Sequence, residues 1–384
     1  MMKKLSSLNG KTLSGKRVLV RVDINSPLKN KKPMMNPRIK AAVKTISFLK
    51  KHGAKVILIA HQGQRGRGDF ISLKNHAKLL SKYVRVNFVK DIVGKKALNA
   101  IDSMKNGEAL LLENIRFHKD EDKPLKKPNE LLNILSLSCD LYVNDAFSVS
   151  HREETSLVSF PKVLPSYIGL TFEEEISNAR KIKSRQNVLY IIGGNKTKDL
   201  ICLLGNKKIL SGGTISLLGI LASGKRLGKH ETLLRKERSL LKTLKKFKNN
   251  LILPTDFAYE KNRKREEILV ENLPRDEYFF DVGKKTVENY VREIMKAKVI
   301  FVKGPLGRIE NENFSYATRT IYKAFMKTKA QVIVAGGHSS TYLEKWNVRL
   351  KRRDYVSLSG GALVAYICGE KLPGLVSLEK GMKK

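Results

Sequence analysis

Short apolar runs of strand length alternate along the chain with longer stretches of helical periodicity. Residues 18–22, 56–60, 84–89, 109–112 and 141–144 are expected strands, with helices over 39–51 and 73–82 between them. After a charged helical stretch at 172–183, a second series of strands is expected at 188–192, 251–254, 299–302, 332–335 and 355–358. Strands separated by helices pair in parallel, because each helix carries the chain back across the sheet before the next strand begins. A chain of 384 residues exceeds what one core supports. Two α/β domains joined by the charged helix are therefore expected.

In sheets of this kind ligands gather outside the carboxyl ends of the strands, and several strand ends here carry the chemistry to hold one. Val22-Asp23-Ile24-Asn25-Ser26-Pro27 places a carboxylate and an amide where the first strand breaks, and Arg38 follows at the start of a helix. Ala60-His61-Gln62-Gly63-Gln64-Arg65 ends the second strand in a glycine turn. Leu112-Glu113-Asn114-Ile115-Arg116 and Asn144-Asp145-Ala146-Phe147, with His151-Arg152, repeat the plan. One arginine is usually a surface charge. Four such stations on one rim describe a cradle for a multiply charged anion.

The later half uses glycine instead. Gly193-Gly194-Asn195-Lys196, Gly336-Gly337-His338-Ser339 and Ser359-Gly360-Gly361 each follow an apolar strand. Glycine exposes backbone amides to phosphate oxygens, and a lysine adds a point charge. Gly304-Pro305-Leu306-Gly307, followed by Glu310, makes a tight turn fit to flank a base or a ribose. No GxxxxGK[ST] loop occurs. A single Gly-Gly marks only a close backbone approach, whereas three in one domain favour a nucleotide.

Composition adds a strong field. The 75 basic and 36 acidic residues leave a formal charge of +39, which favours anionic partners. The basic runs at 29–32, 245–248, 261–265 and 349–353 read as solvated loops or helix faces. Cys139, Cys202 and Cys368 are widely spaced and form no CxxC pair; neither a disulfide framework nor a zinc site is expected. The basic N-terminus lacks the apolar stretch of a signal peptide, and the apolar run 209–222 is too short to span a bilayer. A soluble cytoplasmic protein is expected.

The order of the segments RVDINSP, AHQG, LLENIRF, VNDAF with HR, GGNK, DVGKKT, GPLG, AGGHSS, SGGA and GEKLPG resembles the phosphoglycerate kinases over essentially the whole chain, and HQG and GGH look like the archaeal branch. The resemblance implies two Rossmann-like domains, each a parallel sheet flanked by helices, facing each other across a cleft that closes by hinge bending. It places a phosphoglycerate-binding domain at 1–170 plus 369–384, an interdomain helix at 171–186 and a nucleotide-binding domain at 187–368. The implied reaction is reversible phosphoryl transfer between 1,3-bisphosphoglycerate and ADP, giving 3-phosphoglycerate and ATP, in a monomer or dimer.

By position, the resemblance gives Asp23, Asn25, Arg38, His61, Gly63, Arg116 and Arg152 to the glycerate side. Lys196, Glu310, Gly336, Gly337, His338 and Ser339 fall to the nucleotide, and Arg38 and Lys196 to catalysis. Mg2+ is expected to arrive with the nucleotide and to be held by it, since His338 stands where many members carry an aspartate. Departures are Gln64 for an arginine, Leu200 for a second lysine, Lys303 for an asparagine, and Ser148 and Ser359 for glycines. Arg65 and Lys198 lie beside the first two. The alternative reading is a catalytically weak kinase fold that binds nucleic acid or another partner, motivated by the charge and the lost glycines. No recognised nucleic-acid motif accompanies it.

Overall fold

A computed structural model describes residues 2–195, 197–205 and 208–381. The chain divides into two units, Met1–Asn178 with Gly369–Lys384, and Ala179–Cys368. The division falls within the helix Leu170–Lys183.

The first unit is built on β1 (Arg17–Val22), β2 (Lys55–Ile59), β3 (Asn87–Phe88), β4 (Ala109–Leu111), β5 (Leu141–Asp145) and β6 (Ser166–Ile168). They form one parallel sheet in the order β3-β4-β2-β1-β5-β6. The central β1 is buried almost throughout, with Leu19 paired to Ile57 on one side and Tyr142 on the other. Two covered faces are why these strands read as continuous apolar runs rather than alternating ones. The terminal helix Pro373–Gly381 packs on this unit, where Gly374 N donates to Ser150 O and Ser377 Oγ to Val158 O.

The second unit repeats the plan with β7 (Val188–Ile192), β8 (Ile209–Ser211), β9 (Leu251–Ile252), β10 (Val299–Lys303), β11 (Gln331–Ala335) and β12 (Tyr355–Ser357). The order is β9-β8-β7-β10-β11-β12, again parallel. A separate antiparallel sheet joins Asp256–Lys261 to Lys264–Leu269 and Phe279–Val282. Among the described residues no helix is long and apolar enough to cross a membrane.

Several expectations change. The strand read at 84–89 contracts to Asn87–Phe88. β6 and β8 went unread. β8 lies at the start of the apolar run 209–222, which the Gly212-Gly213 turn splits into a strand and the helix Gly213–Ala222. The basic run 261–265 is an exposed hairpin turn with its flanking strand ends, Asn262 and Arg263 both lying at positive φ. Such left-handed pairs match the twist of two antiparallel strands. The run 29–32 is likewise a hairpin, with Asn30 and Lys31 at its tip. Cys202 and Cys368 form a disulfide, against the expectation of none. They are 166 residues apart, and only the packing of the helix Gly360–Ile367 on the 3-10 segment Thr197–Gly205 brings them together. Spacing in the sequence gives no sign of that.

Candidate functional site

Where β1 ends, Asp23 turns out of the sheet and is nearly buried. Its Oδ1 accepts the Asn25 amide at 3.0 Å, and its Oδ2 accepts Arg38 Nη1 at 2.7 Å and the Ser148 hydroxyl. Burial pushes this carboxyl up. Arg38, Ser148, Asn25 and Arg21 outweigh it and hold Asp23 below the ordinary carboxylate range. Arg38 is fixed by the helix Pro37–Lys51: Asn36 caps the helix, accepting Arg38 N at 2.9 Å, and Pro37 supplies the first turn.

The glycine turn after β2 is tied to the same corner. Gly63 N donates to Asn25 Oδ1 at 3.0 Å, and Gly63 O accepts Arg116 Nη1 at 2.6 Å. Gly63 sits at φ 69°, and a Cβ there would lie 2.2 Å from Asp69 O, so only glycine fits. His61 is buried, and its Nδ1 faces Arg21 Nη2 at 3.0 Å. Burial and then the charges of Arg21, Arg116, Arg152 and Arg38 drive its pKa well below the ordinary value. The ring is therefore neutral near pH 7, accepting at Nδ1 and keeping its proton on Nε2.

Arg116 Nη2 pairs with Glu154 Oε1 at 2.5 Å, and Arg152 Nη1 lies 3.6 Å from the same oxygen. Arg21, fully buried at the end of β1, reaches Glu154 Oε2 at 3.6 Å and donates from Nε to Ser156 Oγ at 2.9 Å. The seven glycerate-side residues thus belong to one connected polar network. Sequence reasoning missed four of its supports: Arg21, Glu154, Gln62 and Asn114. Gln62 receives Ser26 N at 2.8 Å, and Asn114 Nδ2 donates to Gln62 O at 2.9 Å. The acidic pair Glu153-Glu154 directly after Arg152, in a chain so poor in acid, was the available signal.

The departures on this side have definite outcomes. Gln64 N binds Asp69 Oδ1 weakly at 3.4 Å, and Arg65 Nη2 donates to Arg116 O at 3.3 Å. Arg65 therefore lies against the Arg116 backbone. Ser148 places its hydroxyl on the Asp23 carboxylate, adding an internal donor at an oxygen a ligand hydroxyl would use.

In the second unit the glycine turns brace one another. Gly193 N donates to Lys303 O at 2.9 Å and Gly194 N to Pro305 O at 2.7 Å. A Cβ on Gly193 would lie 2.1 Å from Pro305 O, so the GGN and KGP segments meet backbone to backbone. Gly213 N donates to Leu306 O at 2.9 Å and joins the same cluster. Lys196 lies outside the described residues. Gly336, at φ 127°, precedes the helix Gly337–Lys345, whose first turn carries His338 and Ser339. The His338 side chain lies outside the described residues. Ser339 N donates to Gly336 O at 3.0 Å. Glu310 is exposed, and its charge helps raise the Tyr342 phenol, although burial is the larger cause.

Lys303 Nζ lies 2.6 Å from where a Cβ on Gly360 would stand and 3.7 Å from the Gly336 position. One ammonium therefore lies between the starts of two helices, Gly337–Lys345 and Gly360–Ile367. Helix N-termini carry partial positive charge, so this arrangement favours an anion. Leu200, at the position of the absent second lysine, is buried and apolar. Ser359 precedes the helix Gly360–Ile367, its O accepting Leu363 N at 2.8 Å.

Comparison with known proteins agrees over the whole length. The sequence model of the family described as "Phosphoglycerate kinase" matches residues 8–370. The "Phosphoglycerate kinase" of Sulfolobus acidocaldarius is 36% identical over 399 residues, covering 97% of this chain and 95% of that protein. The one from Methanothermus fervidus is 35% identical, covering 97% and 96%. The crystal structure of phosphoglycerate kinase from Pyrococcus horikoshii OT3 superposes with a TM-score of 0.88 at 32% identity, covering all of both chains.

Proposed function

The chain belongs to the phosphoglycerate kinase family, and from that premise we propose which residues carry out its reaction. The protein reversibly transfers a phosphoryl group between 1,3-bisphosphoglycerate and ADP, giving 3-phosphoglycerate and ATP. Asp23 and Asn25 hold the glycerate portion. Arg116 and Arg152 bind its phosphate, with His61 and the Gly63 turn shaping the pocket wall. Arg38, anchored on Asp23, brings its guanidinium charge to the phosphoryl group in flight. The observation that carries this assignment is the continuous network from Asp23 through Arg38, Asn25 and Gly63 to Arg116 and Arg152.

Phosphoryl transfer needs no covalent enzyme intermediate. Alignment of donor and acceptor and neutralisation of the charge on the transferring oxygens supply the rate. On the nucleotide side the Gly193-Gly194 turn braces the site, its two amides bonded to Lys303 O and Pro305 O, while the amides that follow the Gly336 and Gly360 turns face the phosphates, Glu310 the ribose, and Lys196 and Lys303 supply positive charge. These three turns contain no carboxylate. A hard cation such as Mg2+ prefers oxygen ligands, so Mg2+ entering with the nucleotide takes them from phosphate and water. When bound, it neutralises phosphate charge.

A coupled assay of 3-phosphoglycerate and ATP consumption tests the assignment. Wild-type protein turns over, and Arg38→Ala loses about a thousandfold in kcat, the scale of removing an arginine that neutralises a transferring phosphoryl group. A loss under tenfold would remove Arg38 from that role.

A further inference from the structure

Glu154 is nearly buried, yet it is the common partner of three arginines. Its Oε1 takes Arg116 at 2.5 Å and Arg152 at 3.6 Å, and its Oε2 faces Arg21 at 3.6 Å. Two atoms in this cluster, Arg152 Nε and Glu154 Oε2, are buried without a hydrogen-bond partner among the described residues. Arg116, by contrast, is clamped from both sides, by Glu154 and by Gly63 O at 2.6 Å. The second nearby carboxyl, Glu121, joins the cluster only through Ser156, accepting its N at 2.9 Å and its Oγ at 2.6 Å, the Oγ in turn accepting Arg21 Nε. Burial and the charge of Glu154 push Glu121 up to about 7, so it adds less than a full negative charge near neutral pH.

We propose that Glu154 is a positioning and selectivity residue for the phosphate end of the substrate: it sets the aim of Arg116 and Arg152, and its resident carboxylate excludes free oxyanions. The proposal rests on the glycerate-side assignment above. Three guanidiniums against Glu154 and a partly protonated Glu121 leave between one and two positive charges, a fit for the phosphate monoester anion. An oxyanion without the glycerate has only the arginines to hold it and must compete with Glu154 for them. A phosphate ester has Asp23 and Asn25 as well, and tolerates that competition.

The test compares wild type, Glu154→Gln, Glu154→Asp and Arg116→Ala at fixed ionic strength, reading KM for 3-phosphoglycerate and the competitive inhibition constant of inorganic phosphate. Glu154→Gln is expected to lower the phosphate inhibition constant about tenfold, the effect of removing one like charge several ångströms away in a partly screened site, while KM does not fall. A merely structural role would weaken both ligands together. Glu154→Asp keeps the charge and shortens the reach; it is expected to leave phosphate inhibition near wild type and to raise KM. Should Glu154→Gln not fold, Glu154→Asp decides, and equal shifts of both constants overturn the proposal. A folded Glu154→Gln whose ratio of the two constants stays within twofold of wild type also overturns it. Arg116→Ala separates the two readings. If it binds 3-phosphoglycerate like wild type by calorimetry, the glycerate-side assignment falls and this proposal with it. If it binds poorly while the Glu154→Gln ratio is unmoved, only the role of Glu154 falls.

Discussion

Lys303 shows how a single residue recasts a site. At the end of β10 its ammonium stands between the Gly336 and Gly360 turns, while the buried Leu200 brings no charge at all. A cation on a flexible stem can replace a missing one wherever the stem reaches the same oxygens, because a point charge has little directional demand. Lys303→Gln is therefore expected to raise KM for the nucleotide about tenfold, on the scale of one charge-assisted hydrogen bond. KM for 3-phosphoglycerate should change far less. Equal effects on the two substrates, measured by varying each in turn, would show that Lys303 does not act on the nucleotide. Ser148 makes the opposite kind of change, adding a donor to Asp23 where the expected glycine would add none. Neither consequence is legible in the sequence, since the partner residues are far off in the chain.

At the scale of an element, the helix Leu170–Lys183 depends on a buried acid. Asp145, the last residue of β5, accepts Thr171 N at 2.9 Å and Phe172 N at 3.1 Å through Oδ1, satisfying amides at the helix start. A carboxylate there suits the helix dipole. Burial nevertheless dominates and pushes Asp145 up to about 7. An unfolded Asp titrates near 3.9. Between these values the folded state holds a proton that the unfolded state has released, so stability falls as pH rises through this window and levels off above the folded pKa. Asp145→Asn keeps the accepting oxygen without the buried charge. Its urea midpoint should lose the Asp145 share of the decline between pH 5 and pH 8, a share worth at most roughly 2–3 kcal/mol. A variant that follows the wild-type pH curve in parallel would mean that Asp145 titrates near its ordinary value.

The whole molecule carries +39, and its substrates are all anions. Such a field raises the local concentration of anionic ligands and is screened within about 8–10 Å at ordinary ionic strength. KM for 3-phosphoglycerate should accordingly rise severalfold between low salt and about 0.3 M KCl, with little change in kcat. A KM independent of salt would confine the charge to regions the substrate never senses. The disulfide between Cys202 and Cys368 also belongs to this scale, since it closes a loop of 166 residues within one unit. The sequence suggested no disulfide framework. Sequence spacing carries no distance information once a chain has crossed several strands.

Alternating apolar runs and polar strand ends determined that this chain forms parallel α/β units with polar, arginine-bearing rims, because two covered sheet faces demand continuous apolar strands and helical crossovers. The same local reading singled out Asp23, Asn25, His61, Gly63, Arg116 and Arg152 as stations by their position after a strand, and Arg38 by its place at the start of a helix. Tertiary structure alone decided what those stations do to one another. Arg21 and Ser156 are 135 residues apart in the chain yet hydrogen-bonded, and Glu154 gathers its arginines from β1, from the loop after β4 and from the segment after β5. Charge balance and the aim of a guanidinium depend on distances of a few ångströms and on burial, and a sequence fixes neither until the sheet has formed.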